Sequence, residues 1–342
     1  MPQPRPLTLT GVATMLTELG YPKTFVEKLL PSWWEASATA TSAGVLEYAL
    51  ILKERLGLRL SFSQEGKLQV SGDVPGAKFK KRVTTPLTSL ATSSRLGAAL
   101  GRTALRAAPS ARSIPADPQE LNRAIVDVAN GQPVTLETIT RYCWRMGIPI
   151  VHLQLLPNKA TKMAGMVVRH QERYAIVLAH AYRENARQAF VIAHELGHIA
   201  LGHVAADGVL VDDAINAVEG VLRQSAHDSE EQAADEFALK VLRGRQTIPG
   251  LPALGLTPAG LAASATRASE KANIDPAHLI LSYAHERGDW LVATQAMRFL
   301  QGASEAAGVL QAAFEEEADV AKLTDDELDY LRRMQRRGGA AP

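Results

Sequence analysis

The sequence predicts an α+β fold in which a small sheet and one buried helix lie between mainly helical amino- and carboxy-terminal regions. Three observations predict it. Residues 187–203 hold an apolar run, with Val191, Ile192, Leu196, Ile199 and Ala200 surrounding a few polar positions, as in a buried helix. Short β-branched segments at Ile148–Leu153, Ala164–Arg169 and Tyr174–Leu178 have the composition of strands, the last two forming a hairpin through His170–Arg173. On both sides of this region apolar residues recur at helical spacing between Gly, Pro and capping residues.

With 342 residues, 46% of them hydrophobic, the chain has material for two or three domains. Cys143 is the single cysteine, so no internal disulfide can form, which fits a reducing compartment. No apolar run reaches the length of a membrane span, and the start Met-Pro-Gln-Pro-Arg-Pro lacks the apolar stretch of a signal peptide. A cytoplasmic protein with no membrane partner is the expectation. Net charge is +1, yet residues 1–115 carry 15 Lys or Arg against 7 Asp or Glu, and the remainder carries 22 against 29. Such asymmetry marks either a nucleic-acid-binding front half or a basic front docked on an acidic back.

Residues 1–82 are predicted as a mainly helical domain, a candidate for nucleic-acid or partner binding. Leu9–Leu19 has helical spacing and stops at Gly20; Thr24–Leu30 begins with a cap residue and stops at Pro31. Ser42–Leu58 sets Val45, Tyr48, Ala49, Leu52 and Leu56 on one face. Three short helices permit a helix-turn-helix, although no segment has the basic or amide residues of a recognition helix. Trp33 and Trp34 read as core anchors. Leu60–Ser63 and Lys67–Asp73 pair as strands around Gln64–Gly66. Residues 83–117, rich in Ser, Ala and Gly and carrying Arg95, Arg102, Arg106 and Arg112, read mainly as a basic linker, with helical potential at 87–107.

A catalytic domain is expected over 118–249. Helices at 118–130 and 135–146, the second holding Cys143 as a packing residue, precede the strands. The strand Ala164–Arg169 is, by analogy with sheets that bind an extended segment as an added strand, the candidate exposed edge. His180, Tyr182 and Arg183 lie in the loop before the apolar helix, and any of them could stabilise a developing oxyanion. The insert 205–227 carries strand-like Val209–Val211, a helix around 214–224, and His227, and would cover or flank a cleft. A helical region, 250–342, follows: Thr257–Glu270, a turn at Asn273–Pro276, His278–Arg287 and two more helices, the last opened by a capping box at Thr324–Glu327. Glu315–Glu317 read as a solvated face.

The chemistry concentrates at His194-Glu195-Leu-Gly-His198. Residues i and i+4 share a helix face, so both imidazoles reach one cation, for which zinc is suited. Glu195 then stands beside the open coordination position as a general base, not a ligand. The third ligand has three candidates. His203 does not match a three-histidine motif, which would need Gly at Leu201 and His at Val204, so it reads as a helix-end or supporting histidine with some chance of polarising substrate. The helix Asp228–Leu242 offers Glu231, with Asp235 one turn on to hold a ligand histidine's free ring nitrogen. Glu230 competes but points about 100° away, whereas Ala234, Phe237, Ala238 and Val241 mark the buried face nearer Glu231.

Arg187-Gln-Ala-Phe-Val-Ile-Ala-His-Glu-Leu-Gly-His198 and Glu231-Gln-Ala-Ala-Asp-Glu-Phe-Ala238 resemble the paired blocks of the ImmA/IrrE metallopeptidases. The resemblance covers roughly residues 135–250. It implies a zincin-like, gluzincin-type fold holding one zinc ion on His194, His198 and Glu231, with Glu195 as base and Asp235 orienting a histidine. His203 and Tyr182 are candidate stabilisers of the transition state. It departs after the second block, where Val241-Leu-Arg-Gly-Arg245 replaces the family's Leu-Met-Pro. The implied activity is endopeptidase cleavage of a regulatory protein, a helix-turn-helix repressor or antitoxin, in stress, mobile-element or defence control. The competing expectation is a DNA-binding regulator or toxin–antitoxin component whose metal site is structural, closed by four protein ligands.

Overall fold

A computed structural model describes residues 6–72, 76–80, 87–180, 182–212, 229–245, 256–300 and 306–336. The fold is mixed α and β. Near the amino terminus α1 (Val12–Glu18), α2 (Lys23–Leu29), a 3-10 turn (Ala36–Ala40) and α3 (Ser42–Leu56) pack beside an antiparallel hairpin of β1 (Arg59–Phe62) and β2 (Leu68–Ser71). Trp34 stacks on Tyr48 with ring centroids 5.5 Å apart, whereas Trp33 is 54% exposed and anchors no core.

Five strands form the central sheet: β3 (Ala77–Lys80), β4 (Ile150–His152), β5 (Gly165–His170), β6 (Arg173–Leu178) and β7 (Val209–Asp212), in the order β3-β7-β5-β6-β4. The β5–β6 hairpin is the expected one. The other neighbours change the reading, because β7 pairs antiparallel with the far side of β5 and β3 runs parallel to β7. Thus β5 is an inner strand, and the edges are β3 and β4. Ala164–Arg169 is not an exposed edge: the segment Val209–Asp212, from the insert, takes the hydrogen bonds a peptide would need. A boundary at residue 82 also fails, since β3 belongs to the central sheet.

The segment 83–117 is not a linker through its middle. Residues Leu87–Ala107 form α4, a helix that buries Leu90, Leu96, Leu100 and Leu105. Its small residues permit close packing on the sheet: a Cβ at Gly97 would lie 2.6 Å from Met166 Cε, and one at Gly101 2.9 Å from Val168 Cγ2. Arg95 is buried, donating to Tyr21 Oη at 3.0 Å and to the carbonyls of Gly72 and Leu19 at 2.9 and 2.8 Å. It fastens α4 to the amino-terminal helices.

On the opposite sheet face lie α5 (Pro118–Val128), α6 (Leu136–Arg145), α7 (Asn185–Ala200) and α8 (Ser229–Arg243). Almost every residue of α7 from Ala189 to Ile199 is buried, as a helix apolar all round requires. Cys143 is fully buried on α6, and burial pushes its thiol well up. The helix expected at 214–224 and His227 lie outside the described residues.

Carboxy-terminal helices are α9 (Pro258–Ala272), α10 (Pro276–Arg287), α11 (Trp290–Leu300), α12 (Ala306–Glu317) and α13 (Asp325–Gln335), with α11 additional to expectation. The capping box at Thr324 and Glu327 forms. Glu315, Glu316 and Glu317 are not merely solvated, because they pair with Arg332, Arg141 and Arg145. Helix α13 returns to the start of the chain: Tyr330 donates to Arg55 O at 2.9 Å, Asp326 pairs with Arg55, and Gln335 accepts from His152 N at 3.3 Å. Among the described residues no helix is long and apolar enough to cross a membrane.

Candidate metal centre

Three elements converge on one buried point. Helix α7 brings His194 and His198 on one face, their Nε2 atoms 3.0 Å apart. Helix α8 lies close because α7 carries Gly197, whose added Cβ would sit 3.1 Å from Ala234 Cα. That approach sets Glu231 Oε2 3.6 Å from His194 Nε2 and Oε1 3.4 Å from His198 Nε2. Strand β7 ends there with Asp212, whose Oδ2 lies 3.9 and 3.8 Å from the same two nitrogens. Ligating atoms from these four residues all fall within 4.8 Å of one another, so the group could hold a metal ion.

The surrounding bonds orient the rings. Asp235 Oδ1 lies 3.0 Å from His194 Nδ1, and accepts that N–H if Nε2 is left bare toward the cluster. His203 Nδ1 lies 2.8 Å from His198 Nδ1, where one ring donates to the other. Glu230 is turned away, its Oε2 meeting Lys78 and, at 3.1 Å, Lys80. Between the two glutamates of α8 the geometry therefore favours Glu231. Tyr182 stands in the loop before α7, stacked on His180 at 5.6 Å, with its backbone N–H on Gln188 Oε1 at 3.3 Å. Arg183 is exposed in the same loop.

Glu195 is fully buried under the sheet, and the reason it fits is Gly165. A Cβ at Gly165 would lie 2.8 Å from Glu195 Cδ and 3.1 Å from Cγ, and closer still to Oε1. The register of β5 with β7 places Gly165 opposite Asp212, so both carboxylates share one wall of the cluster. Among the described residues no N–H or hydroxyl donor reaches either oxygen of Glu195 or of Asp212, nor Oε1 of Glu231, and the Glu195 and Asp212 carboxyls have only each other as hydrogen-bond partners.

Buried acceptors without donors are costly, and the titration of the cluster shows the same strain. Burial, then the neighbouring Glu231 charge, pushes Glu195 well above the usual carboxylate range; burial and the charges of Glu195 and Glu231 do the same to Asp212. Burial disfavours a charged His194, but bonds to Asp235 and Glu231 outweigh it and raise the ring to about 10. Burial and the His194 charge push His198 down. Three acidic side chains around two facing ring nitrogens make a site that favours positive charge, and a divalent cation meets that demand with neutral imidazoles and ionised carboxylates.

Asp212, Gly165 and Lys80 are absent from the sequence reading. Lys80 Nζ lies 3.7 Å from Glu231 Oε1, on strand β3. Only strand pairing brings these three to the helices, and no spacing in the chain encodes it. The apolar run Val209–Val211 ending in an acid is the one local signal for Asp212. Compared with models of protein families and with curated proteins, the chain matches none.

Proposed function

We propose that this protein is a zinc-dependent endopeptidase of the zincin-like, gluzincin type, making limited cuts in a regulatory protein. The observation that carries the reading is a buried carboxylate, Glu195, which among the described residues has no N–H or hydroxyl donor, pairs only with the carboxyl of Asp212 and feels the charge of Glu231, two members of the group that could hold a metal ion. A purely structural packing would give these carboxyls N–H or hydroxyl donors instead of facing them toward one another. His194, His198 and Glu231 would hold the ion. When bound, zinc supplies a Lewis acid that lowers the pKa of a water and polarises a carbonyl.

The chain's own residues do the rest. Glu195 accepts a proton from the attacking water, whose oxygen bonds to the peptide carbonyl carbon. The same carboxyl then passes that proton to the amide nitrogen as the C–N bond breaks. Asp235 and His203 keep the two imidazoles in the tautomers that leave Nε2 bare. The resemblance to ImmA/IrrE peptidases supports a repressor or antitoxin as substrate, and a lone, buried Cys143 suits a cytoplasmic setting.

Asp212 favours a second reading. A fourth protein ligand would close the site, as in structural zinc centres. Elemental mass spectrometry of wild type beside His194→Ala, Glu231→Ala, Glu230→Ala and Asp212→Ala separates the two. The peptidase reading expects about one zinc per chain, lost from the first two variants and kept in the last two. Loss of zinc and collapse of the melting midpoint in Asp212→Ala, together with unchanged behaviour of Glu195→Gln in every assay, would establish the structural reading. No transition metal in wild type after reconstitution sinks both.

A further inference from the structure

The amino-terminal half carries an excess of positive charge, and most of its cations within the fold are accounted for. Arg55 pairs with Asp326, Lys78 and Lys80 with Glu230, and Arg95 with carbonyls. Of the cations left over, Lys53, Arg59 and Arg102, though not Lys28 or Arg112, line one place. A cleft of about 590 Å3 lies between the carboxy-terminal end of α3, the outer face of α4 and the β5–β6 turn, and is lined by Lys53, Arg59, Arg102, Arg106, Arg173 and His170. Glu54 is the one carboxylate in its lining.

Those cations differ in how they are held. Arg106 is neutralised by Glu327 at 2.7 Å. Arg173 donates to the carbonyls of Ala108 and Pro109 at 3.3 and 2.7 Å, which aims the guanidinium without cancelling its charge, and its Nε has no acceptor. Among the described residues no carboxylate lies within ion-pair distance of Lys53, Arg59 or Arg102. An exposed lysine or arginine at a rim needs no explanation, and Lys53 and Arg59 are such residues. Arg102 is different: it is partly buried in the wall, where burial already disfavours its charge; burial, and then the Arg102 charge, favour the neutral form of His170. A guanidinium kept in a concave, partly desolvated position without a counter-ion is a poor arrangement unless an anion completes it.

We propose that this cleft binds a small molecule bearing at least two phosphoryl groups. Setting Glu54 against Lys53, Arg59, Arg102 and Arg173 leaves three uncompensated positive charges, the complement of a diphosphate or triphosphate and more than one carboxylate needs. The guanidinium forks of Arg102 and Arg173 match phosphate oxygens, and neutral His170 adds a donor. Leu58, Ala98 and Leu105 give the floor an apolar part on which a nucleoside could rest. The volume and concavity suit a nucleotide-sized ligand, not a flat track for a duplex. The inference stands independently of the metal centre.

The test is titration calorimetry on the whole chain as purified with tripolyphosphate and with ATP, in low and moderate salt, on wild type, Arg102→Ala, Arg102→Lys and Arg59→Ala. Saturable binding that weakens with salt is expected, with about a ten-fold or greater loss of affinity in Arg102→Ala and Arg59→Ala and partial retention in Arg102→Lys. Capture of zinc by either probe would affect all variants alike, so the difference between variants is the reading. If Arg102→Ala fails to fold, exposed Arg59→Ala carries the comparison. ATP binding at least as tightly as tripolyphosphate assigns a nucleotide; the reverse order assigns an inorganic polyphosphate. The proposal is overturned if neither probe binds saturably, if the alanine variants bind like wild type, or if a short DNA duplex displaces both probes at lower concentration.

Discussion

Replacing Gly165 by alanine should disable the centre without emptying it. The new methyl carbon would lie 2.8 Å from Glu195 Cδ, where apolar contacts are normally about 3.5–4.0 Å, so something must yield by about 1 Å. Backbone movement is resisted on both sides. Strand β5 is hydrogen-bonded to β6 and β7 along both edges, and α7 is clamped by α8 at Gly197. The side chain of Glu195 therefore swings away. Overpacking of this kind costs about 1–3 kcal/mol, and a displacement near 1 Å at a catalytic group costs on the order of 100-fold in rate. In a chain of this size the melting midpoint should fall by about 1–4 °C. The three atoms nearest the new methyl all belong to Glu195, so zinc content should match wild type. The assays are calorimetric melting, elemental mass spectrometry and cleavage of a partner captured by the Glu195→Gln trap. Full activity and an unshifted melting midpoint in Gly165→Ala would refute the placement of Glu195 against β5. Loss of zinc would show that Gly165 supports the ligands instead of the base.

Three further outcomes are expected. Asp235→Ala should lower zinc affinity by about 10–100-fold, measured by competition with a chelator, because the His194 ring loses the acceptor that fixes its tautomer. Leu100→Ala should destabilise the protein by about 2–5 kcal/mol in urea unfolding, as a core residue of α4 would and a linker residue would not. Burial pushes the Tyr21 hydroxyl, which donates to Leu56 O, up to about 12. A raised folded-state value means that its contribution is complete below the unfolded value near 10 and is lost as pH rises toward 12. Urea midpoints should therefore fall steeply between about pH 10 and 12, and less steeply in Tyr21→Phe, with a flat profile refuting the burial of that hydroxyl.

What was legible in the chain was whatever repeats with the helix. The i,i+4 spacing of His194 with His198, and of Glu231 with Asp235, is a local property, and it put all four where they are found around one point. The choice of Glu231 over Glu230 followed from which face Ala234, Phe237 and Ala238 bury. Strand neighbours are not local. Residues 205–227 looked like a cover for a cleft, yet Val209–Asp212 from that insert becomes the inner strand that occupies β5's free edge and delivers Asp212. The stretch 87–107 shows the opposite difficulty. Ser, Ala and Gly make a flexible tether when nothing packs on them, and a close-packed helix when Gly97 and Gly101 meet Met166 and Val168. Composition alone does not distinguish the two, and the leucines at 90, 96, 100 and 105 were the better guide.

The parallel pairing of β3 with β7 joins residues 77–80 to residues 209–212 across the whole middle of the chain. During synthesis the β5–β6 hairpin is complete some thirty residues before β7 emerges, roughly 2–6 s at ribosomal speeds of about 5–20 residues per second. For that interval Met166, Val167 and Val168 present an apolar strand edge with no neighbour, the kind of surface that recruits other chains. Glu231 arrives later still, and α13, which fastens Arg55 and His152, later again. The four residues that could hold a metal can therefore come together only after β7 and α8 are both made, so the nascent chain is sticky before the group exists, and the demanding step in making it is assembly in the right order.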